Sequence, residues 1–233
     1  MKPFYRDQTT TLYCGDCIEI LPHIEPCEVL VTDPPYGIDF KSNRGAHEAM
    51  AMDGGVDKSA VLERLTLALK AIKRGRHVYC FGPLDLSSLP LCGVVPLVWD
   101  KEVTGMGNLS SPWGPAHENI TFGVYEISAA NRAKGSGGLS ARMRKGSILR
   151  CQRGQSGQTK RHPTEKPVNL LRQLIESSSV MGEVVLDPFC GVGSTLVAAK
   201  LEGRRAIGIE ISAAFCAIAA DRLRAVGERE SAL

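Results

Sequence analysis

The most chemically suggestive run in the chain is Asp33-Pro34-Pro35-Tyr36. Two successive prolines remove two backbone donors and stiffen the turn. What remains is rich in acceptors, the Asp33 carboxylate and the Pro34 carbonyl, beside the flat ring of Tyr36. Such a surface suits a planar group bearing an NH2 donor, stacked on the ring and gripped through its hydrogens. A rigid turn with a capping Asp is the plain alternative; the strand-like run that precedes it, Val29-Leu30-Val31-Thr32, favours the functional reading. A second run, Asp187-Pro188-Phe189-Cys190-Gly191-Val192-Gly193-Ser194-Thr195, reads as a strand end, a glycine loop and a helix start. Glycine lets a ligand approach the backbone closely. The loop is not a P-loop, because no Lys follows the last Gly, and not G-x-G-x-x-G, because Leu196 stands at the third position. Glu210, at the end of the next apolar run, can accept hydrogen bonds from two ribose hydroxyls. Together these residues read as a site for a nucleoside-containing cofactor that needs no diphosphate.

The elements that must hold these residues are short. Val29–Thr32, Val184–Leu186 and Ala206–Ile209 are apolar, partly β-branched runs of the kind found in buried parallel strands. His77–Phe81 and Val94–Trp99 predict two more strands. Helical spacing runs from Ala60 to Lys73 through Val61, Leu65, Leu69 and Ile72. Pro167 is placed as a first helical residue before Leu170, Leu171, Leu174 and Ile175. Ser194 to Leu201 follows the glycine loop and stops near Gly203. Ser212 can cap a last helix carrying Phe215, Ile218, Ala219 and Leu223 on one face. Strands alternating with helices predict an α/β fold with a mostly parallel central sheet flanked by helices. In such sheets ligands sit at the C-terminal ends of strands, where all three loops fall.

Two segments break the alternation. Gly37 to Lys58 is polar and reads as a long loop, and loops of that length are usually functional or disordered. Ser128 to His162 holds nine of the chain's 28 Lys and Arg and no acidic residue. The remaining 19 basic residues face 25 acidic ones, a net of −6 outside the segment. A basic segment in an otherwise acidic chain is an electrostatic footprint for phosphate backbones; a solvated loop is the alternative.

The 233 residues, 43% hydrophobic and 23% charged, predict one large domain with an insertion. No run of 18 apolar residues exists, so no membrane span is expected, and Met1–Asp7 lacks the apolar core of a secretory signal. The expectation is a cytoplasmic protein with its eight cysteines reduced. Cys14-Gly15-Asp16-Cys17 has no second cysteine pair at zinc-ribbon spacing, and no metal is expected there despite nearby His23 and Cys27.

In this order, Asp33-Pro34-Pro35-Tyr36, the basic insertion, His162-Pro163-Thr164-Glu165-Lys166-Pro167 and Asp187 to Thr195 together resemble the β-class DNA amino-methyltransferases. Tyr13-Cys14-Gly15-Asp16 is similar to that family's opening segment. Val98-Trp99-Asp100-Lys101 and His117-Glu118-Asn119-Ile120 resemble its central strands. Val192, where the family usually has a small residue, and Ser194, where Thr is common, are departures from its pattern.

The resemblance implies a Rossmann-like methyltransferase fold. Residues 1–127 form the catalytic half, 128–161 a target-recognition insertion and 162–233 the cofactor half of the same domain. It implies S-adenosylmethionine as methyl donor, with Asp16 and the backbone at Cys17 on the adenine and Glu210 on the ribose. Asp187, Phe189, Gly191, Gly193, Ser194 and Thr195 surround the methionine part, with Thr164 and Lys166 beside them. Asp33, Pro34, Pro35 and Tyr36 are the catalytic residues. The base is flipped out of duplex DNA.

Arg132, Lys134, Arg142, Arg144, Lys145, Arg150, Arg153, Lys160 and Arg161 are the candidate DNA contacts, most of them to phosphates. Asp33 points to adenine N6 as the acceptor; cytosine N4 is the alternative, as is a DNA-binding homologue that has lost catalysis. A homodimer and a restriction endonuclease on a separate chain are compatible partners.

Overall fold

The apolar runs lie side by side in one sheet. The computed structural model describes residues 1–35, 57–104, 110, 112–126, 145–152 and 165–230. Its strands are β1 (Tyr5–Arg6), β2 (Thr10–Cys14), β3 (Cys27–Thr32), β4 (Ile72–Phe81), β5 (Leu91–Asp100), β6 (His117–Tyr125), β7 (Ile148–Arg150), β8 (Val184–Asp187) and β9 (Arg205–Glu210). They form one sheet in the order β1-β2-β9-β8-β3-β4-β6-β5-β7. The helices are α1 (Cys17–Ile20), α2 (Lys58–Lys70), α3 (Val168–Ser178), α4 (Ser194–Leu201) and α5 (Ala213–Glu230).

Neighbours from β2 to β4 pair in parallel. β6 runs against both β4 and β5, and β1 runs against β2. This reversal matters for the site. The first residues of β6 lie at the same edge as the last residues of β3, β4, β5, β8 and β9.

Side-chain alternation divides the core between the two faces of the sheet. Val29, Val31, Val185 and Ala206 pack with Leu170, Leu174, Leu196, Ala219 and Leu223 of α3, α4 and α5. Leu30, Leu186, Ile207 and Ile209 pack with Ile20, Val61, Leu65 and Leu69 of α1 and α2. β3 is buried along its whole length. Each such aliphatic side chain contributes about 1.5–3 kcal/mol on burial.

All five strands read from the sequence are present, some longer than expected. Several boundaries differ. Asp57 caps α2 by accepting from Ser59 N at 3.0 Å, so Lys58 opens a helix rather than closing a loop. That helix ends at Lys70 rather than Lys73. Ile72 already pairs with Cys27, and the pairing draws the chain into β4. Pro167 is extended (ψ 131°) and stands one residue before the helix, its carbonyl accepting from Leu170 N and Leu171 N. Ser212 caps α5 as expected, through Phe215 N at 3.4 Å. Inside the basic segment, Ile148–Arg150 is a strand, β7, parallel to β5 at the sheet edge. Of the predicted Gly37–Lys58 loop, all but Asp57 and Lys58 lies outside the described residues.

Candidate active site

Asp33 follows β3 directly, at the C-terminal edge of the sheet. Its Oδ2 is 2.6 Å from Lys166 Nζ, whose side chain is only 8% exposed. The same ammonium lies 3.3 Å from Glu118 Oε2, and the other Glu118 oxygen is 2.9 Å from Lys101 Nζ. Lys166 Nζ sits 5.2 Å from the centre of the Phe81 ring, and Lys101 Nζ 5.4 Å from that of Trp99. Both rings are buried. The result is an alternating string, Asp33–Lys166–Glu118–Lys101. It is assembled from the end of β3, the segment before α3, the start of β6 and the end of β5. Pro34 is buried and Pro35 half-buried beside Asp33.

One strand over, the glycine loop leaves β8. Asp187 is 3% exposed and accepts from Phe189 N at 3.1 Å. Burial pushes its carboxyl up to about 7, and the nearby Asp33 charge adds to the rise; hydrogen bonds from the Thr195 hydroxyl and Phe189 N oppose it. Gly191 and Gly193 both have positive φ (51° and 78°). A Cβ on Gly191 would meet nothing within 4 Å, so the loop is open there, whereas one on Gly193 would strike Ala219 Cβ at 2.8 Å.

Glu210 accepts from Gly191 N at 2.9 Å and Ser212 N at 2.8 Å, tying the glycine loop to the end of β9. Burial raises its pKa. Asp16 caps α1 through Ile18 N at 3.0 Å and pairs with Arg64 of α2 at 3.0 Å. Cys17 opens α1 and is buried, and desolvation pushes its thiol up to about 11.

Asp16, Cys17, Asp187, Phe189, Gly191, Gly193, Ser194, Thr195 and Glu210 thus gather around neighbouring strand ends. Lys166 is placed on the Asp33 carboxylate. Tyr36 and Thr164 lie outside the described residues, as do Arg132, Lys134, Arg142, Arg144, Arg153, Lys160 and Arg161. The two described cations of the basic segment both face carboxylates: Lys145 pairs with Glu176 at 2.7 Å, and exposed Arg150 lies 3.6 Å from Asp100.

Sequence reasoning missed a second set of residues. Arg222 of α5 donates to Val192 O at 2.7 Å and Ser194 Oγ at 3.1 Å, and pairs with Glu165 at 2.7 Å. Ser194 Oγ donates to Glu165 at 3.2 Å. Arg222 therefore binds the glycine loop to the segment carrying Lys166. Glu118 and Lys101 were legible only as parts of strands. The one available signal was a charged residue at each strand's edge, which spacing alone does not tie to Asp33. Among the described residues no cluster of His, Cys, Asp or Glu could hold a metal ion. No helix among them is long and apolar enough to cross a membrane.

A mostly parallel α/β sheet carrying an acceptor-rich Asp-Pro-Pro turn beside a glycine loop and an acidic strand end fits a nucleoside-cofactor enzyme acting on a planar amine. Comparison with known proteins gives the family. A family model described as a DNA methylase, of the N6/N4 type, matches residues 97–221. The DNA adenine methyltransferase YhdJ of Escherichia coli (strain K12) is 44% identical over 253 residues, covering 94% of this chain and 84% of that protein. The Type II methyltransferase M2.DpnII of Streptococcus pneumoniae is 26% identical over 259 residues, covering 97% and 94%. The crystal structure of the M1.HpyAVI–SAM complex shares the fold, with a TM-score of 0.68 at 18% identity over 92% of this chain and 98% of that one. The chain belongs to the N6/N4 DNA methylase family.

Proposed function

We propose that the chain transfers a methyl group from S-adenosylmethionine to the N6 amine of an adenine flipped out of double-stranded DNA. The observation that carries this reading is Asp33, held at the end of β3 by Lys166 and next to the strand end that bears Asp187 and the glycine loop. The residues present fit the cofactor. Gly191 leaves open space, Glu210 presents a carboxylate already oriented by two backbone N–H groups, and Asp16 stands at the neighbouring strand end. S-adenosylmethionine supplies a methyl group activated on a sulfonium.

The acceptor amine is a poor nucleophile because its lone pair is delocalised into the ring. Asp33 and the Pro34 carbonyl accept its two N–H hydrogens and turn the nitrogen toward tetrahedral geometry. A carboxylate offers about four acceptor positions, so Asp33 can hold Lys166 and an amine together. Orientation of this kind contributes up to roughly 7–11 kcal/mol, and acceptors facing the charge developing on nitrogen add to it. Tyr36 stacks on the flipped base. No thiol nucleophile is required. Cys80 and Cys190 are buried, and desolvation raises both thiols far above their ordinary value.

Asp33 and the similarity to an adenine methyltransferase favour adenine over cytosine; the fold by itself does not choose the base. Residues 128–161 are the recognition segment of this reading, their cations positioning the duplex through phosphates. A homodimer, a restriction endonuclease on a separate chain and a cytoplasmic location are compatible with it, as is an enzyme without a restriction partner.

The test is transfer of labelled methyl from S-adenosylmethionine to unmethylated DNA, followed by nucleoside digestion. Label in N6-methyladenine is expected, and Asp33→Ala should lower the rate at least about 100-fold. Label in N4-methylcytosine overturns the base, and a fully active Asp33→Ala overturns the mechanism.

A further inference from the structure

The string of charges behind Asp33 does more than fix one side chain. Lys101 and Lys166 are 6% and 7% exposed, and buried ammoniums are costly unless paired. Lys166 touches two carboxylates, Asp33 and Glu118, while the ion pair of Lys101 is with Glu118. Glu118 therefore bridges both cations through its two oxygens. Among the described residues, Asp33 and Glu118 set two negative charges against the two positive ones of Lys101 and Lys166. Asp187 also faces Asp33. The aromatic rings of Phe81 and Trp99 add their electron-rich faces to the two ammoniums.

We propose that Glu118 is a positioning residue for methyl transfer: by balancing Lys101 and Lys166 it aims Lys166 at Asp33 and keeps the site free of excess positive charge. This rests on the methyltransferase reading above. The methyl donor carries a sulfonium cation and its demethylated product, S-adenosylhomocysteine, does not. One unbalanced ammonium beside Asp33 would therefore oppose the donor more than the product. It would also oppose the positive charge that develops on the amine.

The experiment measures dissociation constants for S-adenosylmethionine and S-adenosylhomocysteine by calorimetry, together with single-turnover methylation, in the parent chain and three variants. Glu118→Gln keeps the shape and removes the charge. It should raise the ratio of donor to product dissociation constants roughly tenfold, the order of magnitude of one unbalanced charge in a partly buried site. It should also slow the single turnover roughly 10–100-fold. Lys101→Met carries the opposite imbalance and should shift the ratio the other way. Glu118→Gln combined with Lys101→Met restores the balance and should return the ratio toward the parent value. Purely structural damage would instead accumulate in the double variant.

An unchanged ratio in Glu118→Gln, or a double variant worse than either single one, overturns the proposal. If Glu118→Gln does not fold, the sign of the Lys101→Met shift decides, and a shift toward product overturns it. A parent chain that binds neither molecule overturns the methyltransferase reading itself.

Discussion

Replacing Gly193 by Ala tests how the glycine loop is held against α5. Gly193 has φ 78° and stands immediately before α4. Two separate costs are expected. A left-handed backbone costs an L residue about 1–2 kcal/mol. The new Cβ would also lie 2.8 Å from Ala219 Cβ and 3.3 Å from Ala219 Cα, both on α5. Backbone cannot rotate away as a long side chain can, so α4 and α5 must separate. Overpacking of this kind costs about 1–3 kcal/mol. The sum is about 2–5 kcal/mol, or a fall in melting temperature of roughly 2–4 °C per kcal/mol for a chain of this length.

Gly191→Ala supplies the control from the same loop. Its φ is 51°, but a Cβ there meets nothing within 4 Å. Only the backbone cost of about 1–2 kcal/mol applies. Urea unfolding of both variants, with donor binding by calorimetry, separates the two costs. Gly193→Ala should be the less stable, and Ala219→Gly in the same chain should recover part of the difference. Equal losses in the two variants, or no recovery, would refute the argument that contact with α5 dictates this glycine.

Two further outcomes follow from the buried polar groups. Burial holds the His77 pKa down to about 4, with Arg76 adding to the effect, so the folded chain keeps this imidazole neutral while the unfolded chain protonates near 6.5. Between those values the unfolded state binds more protons. The His77 contribution to stability should therefore fall as pH drops from about 6.5 to about 4, by roughly 2–3 kcal/mol, while Asp187, held up to about 7, contributes in the opposite sense over the same window. The stability difference between the parent chain and His77→Asn, read by urea unfolding, should change by that amount across the window, and a difference independent of pH would contradict it. Arg222→Met removes the donor to Val192 O and the partner of Glu165. Donor affinity should fall by about 1–3 kcal/mol, with much less change in the single-turnover rate at saturation. Calorimetry showing parental affinity would exclude Arg222 as a support of the loop.

The strands of this fold were legible because β3, β8 and β9 are short, apolar and end in chemistry. Their parallel pairing leaves no polar face to disguise them. β1 and β2 were not legible, since Thr10-Thr11-Leu12-Tyr13 alternates weakly and gains its burial from pairing with β9. The end of α2 was misjudged because Ile72 continues the helical spacing, while pairing with Cys27 decides its conformation. β7 was hidden inside a run read for its charge. At the site, Asp33 follows its strand directly and Asp187 and Glu210 end theirs, and local sequence was enough to find them. Lys166 was found, yet its partner was not, because contact with Asp33 and Glu118 joins three distant parts of the chain. Arg222 had no signal at all. It is one of several arginines on a helix, and only the fold turns it toward Val192.

The strand order also has a consequence for how the protein comes into being. β3, which leads into Asp33, is flanked in the sheet by β4 and β8, and β8 in turn pairs with β9. Val29 lies opposite Val185, and Thr10 opposite Ala206. Contacts so distant in sequence close slowly, because the loop entropy must be overcome before any pairing is rewarded. A nascent chain that has emerged only as far as β6 leaves one side of β3 unpaired and presents its apolar strand to solvent. Asp33 is thus synthesised before Lys166, β8 and β9, and acquires a finished setting only after they have emerged. A partly made chain carries the Asp-Pro-Pro turn without the residues that surround it in the fold.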